Sequence, residues 1–136
     1  MPKLSNGKMP EELHLHDYVI DKIELDFDNE ISKLYCTFED KITKTEVIFK
    51  GFLASKLTDI QPGSIILDLE KWDIDSFIKV EKKYLESRQK YGWPFPTKDI
   101  DELKTKLSNG GYSVWWLSPS FGMGGYIIAK SAKAIS

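Results

Sequence analysis

The sequence is poor in three features that mark common classes of protein: cysteines, histidines and long apolar runs. Cys36 is the one cysteine among 136 residues, which excludes an intramolecular disulfide and fits a reducing compartment. No apolar run approaches the ~18 residues that a membrane-spanning helix needs. The N-terminal stretch lacks the apolar core of a signal peptide. We therefore expect a cytoplasmic protein without membrane contact.

A large excess of one charge is also missing, because 19 basic and 21 acidic residues leave a formal net charge of −2. With a pI of about 5.7 and few basic residues near its tryptophans, the chain is not predicted to bind nucleic acid. Carboxylates nevertheless dominate between Asp17 and Glu30, and basic residues dominate between Lys79 and Lys90. This distribution indicates either two solvated faces or an acidic surface that meets a basic partner.

Length and composition predict one folded domain. A chain of this size buries roughly two-thirds of its unfolded surface, so it can fold without disulfides or metals. Hydrophobic residues make up 41% of the chain and charged residues 29%, as in ordinary globular domains. Residues 1–11 carry Pro2, Gly7 and Pro10 and are predicted to form a flexible N-terminal arm. The domain is therefore placed at residues 12–136.

Alternating polar and apolar residues predict a largely antiparallel sheet. The predicted strands are residues 23–28, 32–38, 44–53, 64–70, 112–118 and 126–135. In the first strand, Glu24, Asp26 and Asp28 share the face turned to water. Turn residues between the first two strands, and the glycine-rich residues 121–125 between the last two, predict two hairpins.

Helical spacing replaces alternation after residue 72. Asp73 or Asp75 can cap a first helix that stops before Gly92, and Asp99 with Glu102 resembles the capping box of a second. The predicted fold class is therefore α+β. It consists of one curved antiparallel sheet of about six strands, with two helices inserted between strands 4 and 5.

The two histidines, His14 and His16, raise the question of a metal site. On an extended chain, residues i and i+2 point the same way about 6.6 Å apart, so both rings could ligate one metal. Zinc needs at least three protein ligands, and the sequence has no third histidine. The alternatives are a turn that starts the first strand, with Asp17 bound to backbone, or an acid–base histidine. We predict no catalytic residue and no cofactor, and keep His14 and His16 as a metal-dependent alternative.

Several motifs together resemble a known group of proteins. The matching residues are His16, Asp17, Ile20, Ile23, Leu25, Phe27, Leu34, Cys36, Phe38, Phe49, Gly51 and the Ile-Ile-Ala-Lys run at 127–130. Within residues 13–53 and 112–135, this pattern resembles small, mostly uncharacterised bacterial cytoplasmic proteins, some of them immunity proteins of polymorphic toxin systems. The resemblance implies a non-enzymatic partner of a toxin and carries over no catalytic residue. The Trp-Pro-Phe-Pro loop at 93–96 is not part of the pattern.

The predicted function is therefore that of a non-enzymatic binding protein whose partner is a basic protein toxin. Glu24, Asp26 and Asp28 are the predicted electrostatic contacts, because complementary charge raises association rate and specificity. Trp115 is a predicted apolar anchor. The alternative is a small-molecule-binding domain whose aromatic pocket contains Trp115, Tyr84 and Phe95.

Overall fold

The computed structural model describes residues 15–136, which form eight strands and two helices. In chain order they are β1 (Val19–Asp26), β2 (Ile31–Thr37), β3 (Lys44–Lys50), β4 (Ala54–Thr58), β5 (Ile65–Trp72), α1 (Ile74–Gln89), α2 (Ile100–Asn109), β6 (Ser113–Phe121), β7 (Gly124–Ala129) and β8 (Ser131–Ile135). The arm predicted at residues 1–11 and the predicted ligand His14 lie outside the described residues.

All eight strands join one sheet in the order β4-β7-β6-β5-β1-β2-β3-β8, and every neighbouring pair is antiparallel. The α+β class, the antiparallel sheet and both predicted hairpins, β1–β2 and β6–β7, are confirmed. The prediction of about six strands is wrong, because the sheet has eight. The placement of the helices between strands 4 and 5 is also wrong, because they follow the fifth strand, β5, and precede the sixth, β6.

Two bends in the chain account for the extra strands. The predicted third strand bends at Gly51, whose φ of +66° favours glycine and whose missing side chain leaves room for Lys130. Beyond the bend the chain forms β4, whose sequence ASKLT has one large apolar residue and so does not predict a strand. Lys130, beside this bend, divides the predicted last strand into β7 and β8.

The bends fold the sheet over on itself, because β3 leads into β4, and β7 into β8, within a few residues. The half made of β1, β2, β3 and β8 thus covers the half made of β4, β7, β6 and β5. One apolar cluster joins them, with Leu34 and Phe49 from the first half and Trp115 and Ile127 from the second. We call this cluster the inner core.

The helices cover the outer face of the second half. Phe77 and Leu85 of α1 and Leu103 of α2 belong to one apolar cluster with Tyr126 and Ile128 of β7. We call this cluster the helix-covered core. Strands β6 and β7 therefore lie between two cores, which explains why both their faces are apolar.

The predicted helix starts are confirmed in detail. Asp73, one of the two predicted candidates, caps α1 by accepting a hydrogen bond from the Ser76 N–H at 2.7 Å. Asp99 caps α2 by accepting from the Glu102 N–H at 2.8 Å. Both caps satisfy backbone donors that have no partner inside the helix.

Candidate functional site

Glu24, the first of the predicted contact carboxylates, lies within β1 and is already paired. Its carboxylate oxygens lie 3.7 Å from Lys22 Nζ and 4.0 Å from Lys33 Nζ, and one of them accepts a hydrogen bond from the Tyr35 hydroxyl at 3.3 Å. Lys33 and Tyr35 come from β2, so these two contacts cross the hairpin, whereas Lys22 lies on β1 itself. Glu24 therefore stabilises the sheet as well as facing water.

The remaining carboxylates lie at the tip of the β1–β2 hairpin. Asp26 accepts hydrogen bonds from the Asn29 side chain at 2.8 Å and the Asn29 backbone N–H at 3.1 Å. These bonds, the side-chain bond above all, hold the pKa of Asp26 below its usual range. Asp28 and Glu30 are exposed beside it. The structure thus gathers three carboxylates at the tip, and Glu30 is one that the predicted contact set omits.

Two large apolar side chains are exposed at the same tip. Leu25 is 45% exposed and Phe27 is 72% exposed, although their alternation with carboxylates predicts the inner face of the sheet. Ile23, on the same face of β1, does pack on the inner core. The hairpin therefore extends beyond the core that its apolar face would otherwise cover. The Phe27 ring stacks on Phe52 with centroids 6.4 Å apart.

A cleft of about 380 Å³ separates the hairpin tip from β4. It forms where two hydrogen bonds diverge: the Phe52 N–H donates to Glu30 O, and the next N–H, of Leu53, donates to Ile128 O on β7, each at 2.9 Å. We call it the tip cleft. Its lining consists of the first two residues of β4 together with Leu25, Phe27, Glu30, Phe52, Leu53 and Trp93.

Trp115, the predicted anchor, is buried in the inner core with 1% of its surface exposed. Its ring packs edge-on against Phe49 with centroids 5.8 Å apart, and its Nε1 has no hydrogen-bond partner among the described residues. A role in partner binding remains a prediction, and it would require the inner core to open. Phe95 packs against the helix-covered core, and Tyr84 of α1 contacts Trp93 there. Phe95 and Trp115 therefore belong to different cores, and the aromatic pocket stays a prediction.

A second group of aromatic residues forms a row on the outer face of the sheet. The Trp116 ring lies 4.6 Å from the Trp72 ring on β5 and 5.1 Å from the Tyr126 ring on β7, measured between centroids. Because these neighbours belong to the strands on either side of β6, both faces of the Trp116 ring are covered. The Trp116 ring therefore has no free face on which a ligand could stack.

His16 lies where the chain enters β1. Its Nδ1 is 3.2 Å from Leu67 O, and its Nε2 is 3.4 Å from the Asp17 carboxylate. The Asp17 N–H donates to Ile66 O at 2.9 Å, so this turn ties the start of β1 to β5. Within residues 15–136, no group of three or more histidine, cysteine or carboxylate side chains could hold a metal. The metal pair stays a prediction, since His14 lies outside this range.

A partly buried polar cluster links β4 to α1. Glu81 accepts hydrogen bonds from Lys56 Nζ at 3.0 Å and from the Tyr126 hydroxyl at 3.1 Å. Burial, aided by the Glu81 charge, raises the pKa of Tyr126 far above its usual value. Lys56 and Glu81 are 25 residues apart. No local sequence signal predicts their contact, because it depends on the strand that follows the Gly51 bend.

No protein-family model, curated protein or solved structure matches this chain. Neither helix in the described part is long and apolar enough to cross a membrane. Any function assigned to the chain therefore rests on its own residues. Among them, the hairpin tip combines exposed aromatic surface with clustered charge.

Proposed function

We propose that this chain is a non-enzymatic binding protein that meets a basic protein partner at the tip of the β1–β2 hairpin. The observation that carries the proposal is the exposure of Phe27, 72%, within a group of carboxylates. Single exposed apolar side chains are common on protein surfaces. Here Phe27 and Leu25 instead continue into the apolar tip cleft, which makes a contiguous patch.

The arrangement has the composition of a protein interface. Interfaces place apolar and aromatic side chains at the centre and polar ones at the rim. Phe27 and Leu25 supply the centre, and Asp26, Asp28 and Glu30 supply the rim. Aromatic anchors that fill a pocket on the partner usually contribute most of the binding energy. Phe27 is accordingly the proposed anchor, the role for which the sequence pattern predicts Trp115.

The charge at the tip determines the kind of partner. Three carboxylates within five residues attract a basic surface and repel an acidic one, which raises the association rate for the correct partner. A basic toxin of the kind that immunity proteins neutralise has this chemistry. Glu24 contributes less, because Lys22 and Lys33 already lie beside it.

The test begins with capture of partners on the wild-type chain and identification of each bound protein by mass spectrometry. Each candidate is then purified, and its association and dissociation rates are measured by biolayer interferometry. Two variants probe the surface: Phe27→Ser, and the charge reversal of Asp26, Asp28 and Glu30 to lysine. The matched control reverses three exposed carboxylates elsewhere, namely Asp68, Glu70 and Glu86.

We expect the reversal at the hairpin to slow association of a basic partner by about tenfold or more at low salt, with a smaller effect at high salt. Phe27→Ser should mainly speed dissociation, since loss of an anchor acts on the lifetime of the complex. The control reversal has the same change in net charge and should leave both rates close to those of the wild type. Equal effects of the two reversals, together with unchanged binding by Phe27→Ser, would reject the proposal.

A further inference from the structure

One edge of β4 has no neighbouring strand. Ala54–Thr58 pairs with β7 on one side, from Ala54 opposite Ile128 to Thr58 opposite Gly124. Within residues 15–136, no backbone hydrogen bond reaches these five residues from their other side. A free edge presents a row of amide and carbonyl groups that another extended chain can pair with.

The usual protections of a free edge are weak at this strand. Natural edge strands often carry proline or a lysine that projects into solvent. The sequence ASKLT has no proline, and its Lys56 is engaged by Glu81 of α1 at 3.0 Å and lies 3.9 Å from the Tyr84 ring centroid. Its charge is therefore turned toward the helix, so β4 has neither a proline nor a lysine in solvent to prevent another strand from pairing with its edge.

The tip cleft lies beside the start of this free edge. Its apolar lining can take apolar side chains of an added strand, and the Glu30 carboxylate of the hairpin belongs to the same lining. An extended chain turns alternate side chains to opposite faces. A segment that alternates apolar and basic residues can therefore direct one set into the cleft and keep the other in water, where the exposed hairpin carboxylates attract it over a longer range.

We propose that an extended basic segment of the partner protein adds as a strand to the free edge of β4, with apolar side chains seated in the tip cleft. This inference rests on the proposed function and specifies how the partner is recognised. The five residues of β4 offer pairing for a segment of about 17 Å. A second copy of this chain fits less well, because its own β4, ASKLT, offers the cleft only one large apolar side chain.

The test uses a seven-residue peptide of alternating lysine and valine with blocked ends. Two further peptides carry N-methyl groups on either the odd or the even residues. An added strand uses the amides of one edge only, so methylation of one set should weaken binding by at least about tenfold and methylation of the other should not. A glutamate–valine peptide is the charge control. Affinities and binding sites come from amide chemical shifts of the isotope-labelled full chain.

The inference predicts that the lysine–valine peptide shifts the amides of residues 25–30 and 54–58, that one methylated peptide fails, and that the glutamate peptide does not bind. Equal affinities of the two methylated peptides, or no binding of the parent peptide, would overturn strand addition.

If the methylated peptides bind equally and Phe27→Ser still abolishes binding, strand addition fails while the proposed function survives. If peptide binding is unaffected by Phe27→Ser and by charge reversal at the hairpin, the proposed function fails as well. A dimer of the wild-type chain whose amide shifts map to residues 54–58 would assign the edge to a second copy and also overturn the inference.

Discussion

Glu81 of α1 and Lys56 of β4 form a salt bridge that ties the helix to the edge strand, with Lys56 Nζ 3.0 Å from a Glu81 carboxylate oxygen. The same oxygen accepts a hydrogen bond from the Tyr126 hydroxyl. The Glu81 side chain is only 12% exposed and that of Lys56 29%, so water screens the pair less than it screens a surface pair. The contact therefore matters for the position of β4 as well as for stability.

Replacing Lys56 with methionine should destabilise the fold. The change leaves the Glu81 carboxylate partly buried with one hydrogen-bond donor fewer, and we expect a loss of about 1–3 kcal/mol in the free energy of unfolding. Glu81→Gln should have a smaller effect, because its amide oxygen can still accept from Tyr126. Urea unfolding followed by circular dichroism measures both changes.

The matched control for this prediction is Lys104→Met. Lys104 pairs with Asp75 at 2.8 Å, but both side chains are about half exposed or more. We expect little change in its urea midpoint, since exposed pairs contribute little to stability. If both lysine variants shift the urea midpoint equally, partial burial does not make the Lys56–Glu81 pair contribute more to stability than an exposed pair.

Gly51→Ala should disrupt the bend between β3 and β4. An alanine there must adopt a φ of +66° and place its Cβ 2.7 Å from the Cβ of Lys130, an atom fixed to the backbone. Backbone strain and overpacking together predict a loss of about 2–4 kcal/mol. Gly63→Ala separates the two terms, because Gly63 has a φ of +81° but nothing within 4 Å of its ideal Cβ.

We expect Gly63→Ala to lose only the strain contribution, about 1–2 kcal/mol. Thermal unfolding of the two variants measures the difference. Equal losses would mean that the contact with Lys130 relaxes without a penalty, and that the bend does not depend on the close approach of the two chains.

Local sequence patterns predict those parts of the fold that depend on neighbouring residues. The alternation in β1 and β2, the turn between them, and the caps at Asp73 and Asp99 act over a few residues, and all are confirmed. The bend at Gly51 depends on Lys130, a residue far along the chain. β4 could not be predicted for the same reason, because its Lys56 is held by Glu81 of α1, a residue far from it in sequence.

The candidate site shows the same limit. Alternation correctly places Leu25 and Phe27 on the face opposite the carboxylates, yet it cannot show where the core ends along that face. Trp115 and Trp116 are adjacent and equally apolar, so the sequence does not tell which faces the inner core. The way the sheet folds over on itself determines which tryptophan is enclosed, and Trp115 is the one in the inner core.

Cys36 should be unreactive in the folded protein. It is buried, as the apolar row of Leu34, Cys36 and Phe38 predicts, and burial raises its pKa from 9.0 to about 12, with a smaller contribution from the Asp21 charge. Because the thiolate is the reactive form, modification by an aromatic disulfide reagent at pH 8 should be slow in native buffer and rapid in urea. Rapid native modification would show that the inner core opens readily at β2.

The same raised pKa predicts a loss of stability at alkaline pH. The folded state holds the Cys36 proton more tightly than the unfolded state, so this contribution is complete below about pH 9 and is lost as the pH rises from 9 toward 12. Cys36→Ala should therefore show a shallower decline in unfolding free energy between pH 8 and about 10 than the wild type. Parallel curves for the two proteins would contradict the assignment to Cys36.

Phe27 and Phe52 stack on each other, but replacement by alanine should destabilise the fold at Phe52 and hardly affect its stability at Phe27. Phe52 is 8% exposed and belongs to the inner core, so Phe52→Ala should lose about 3 kcal/mol of unfolding free energy. Phe27 is 72% exposed, and Phe27→Ala should change stability by no more than about 0.5 kcal/mol. Urea unfolding of both variants gives the comparison, and binding of a hydrophobic dye should fall in Phe27→Ala as the apolar patch shrinks. Equal destabilisation by the two changes would place Phe27 in the core and deprive the hairpin tip of its proposed anchor.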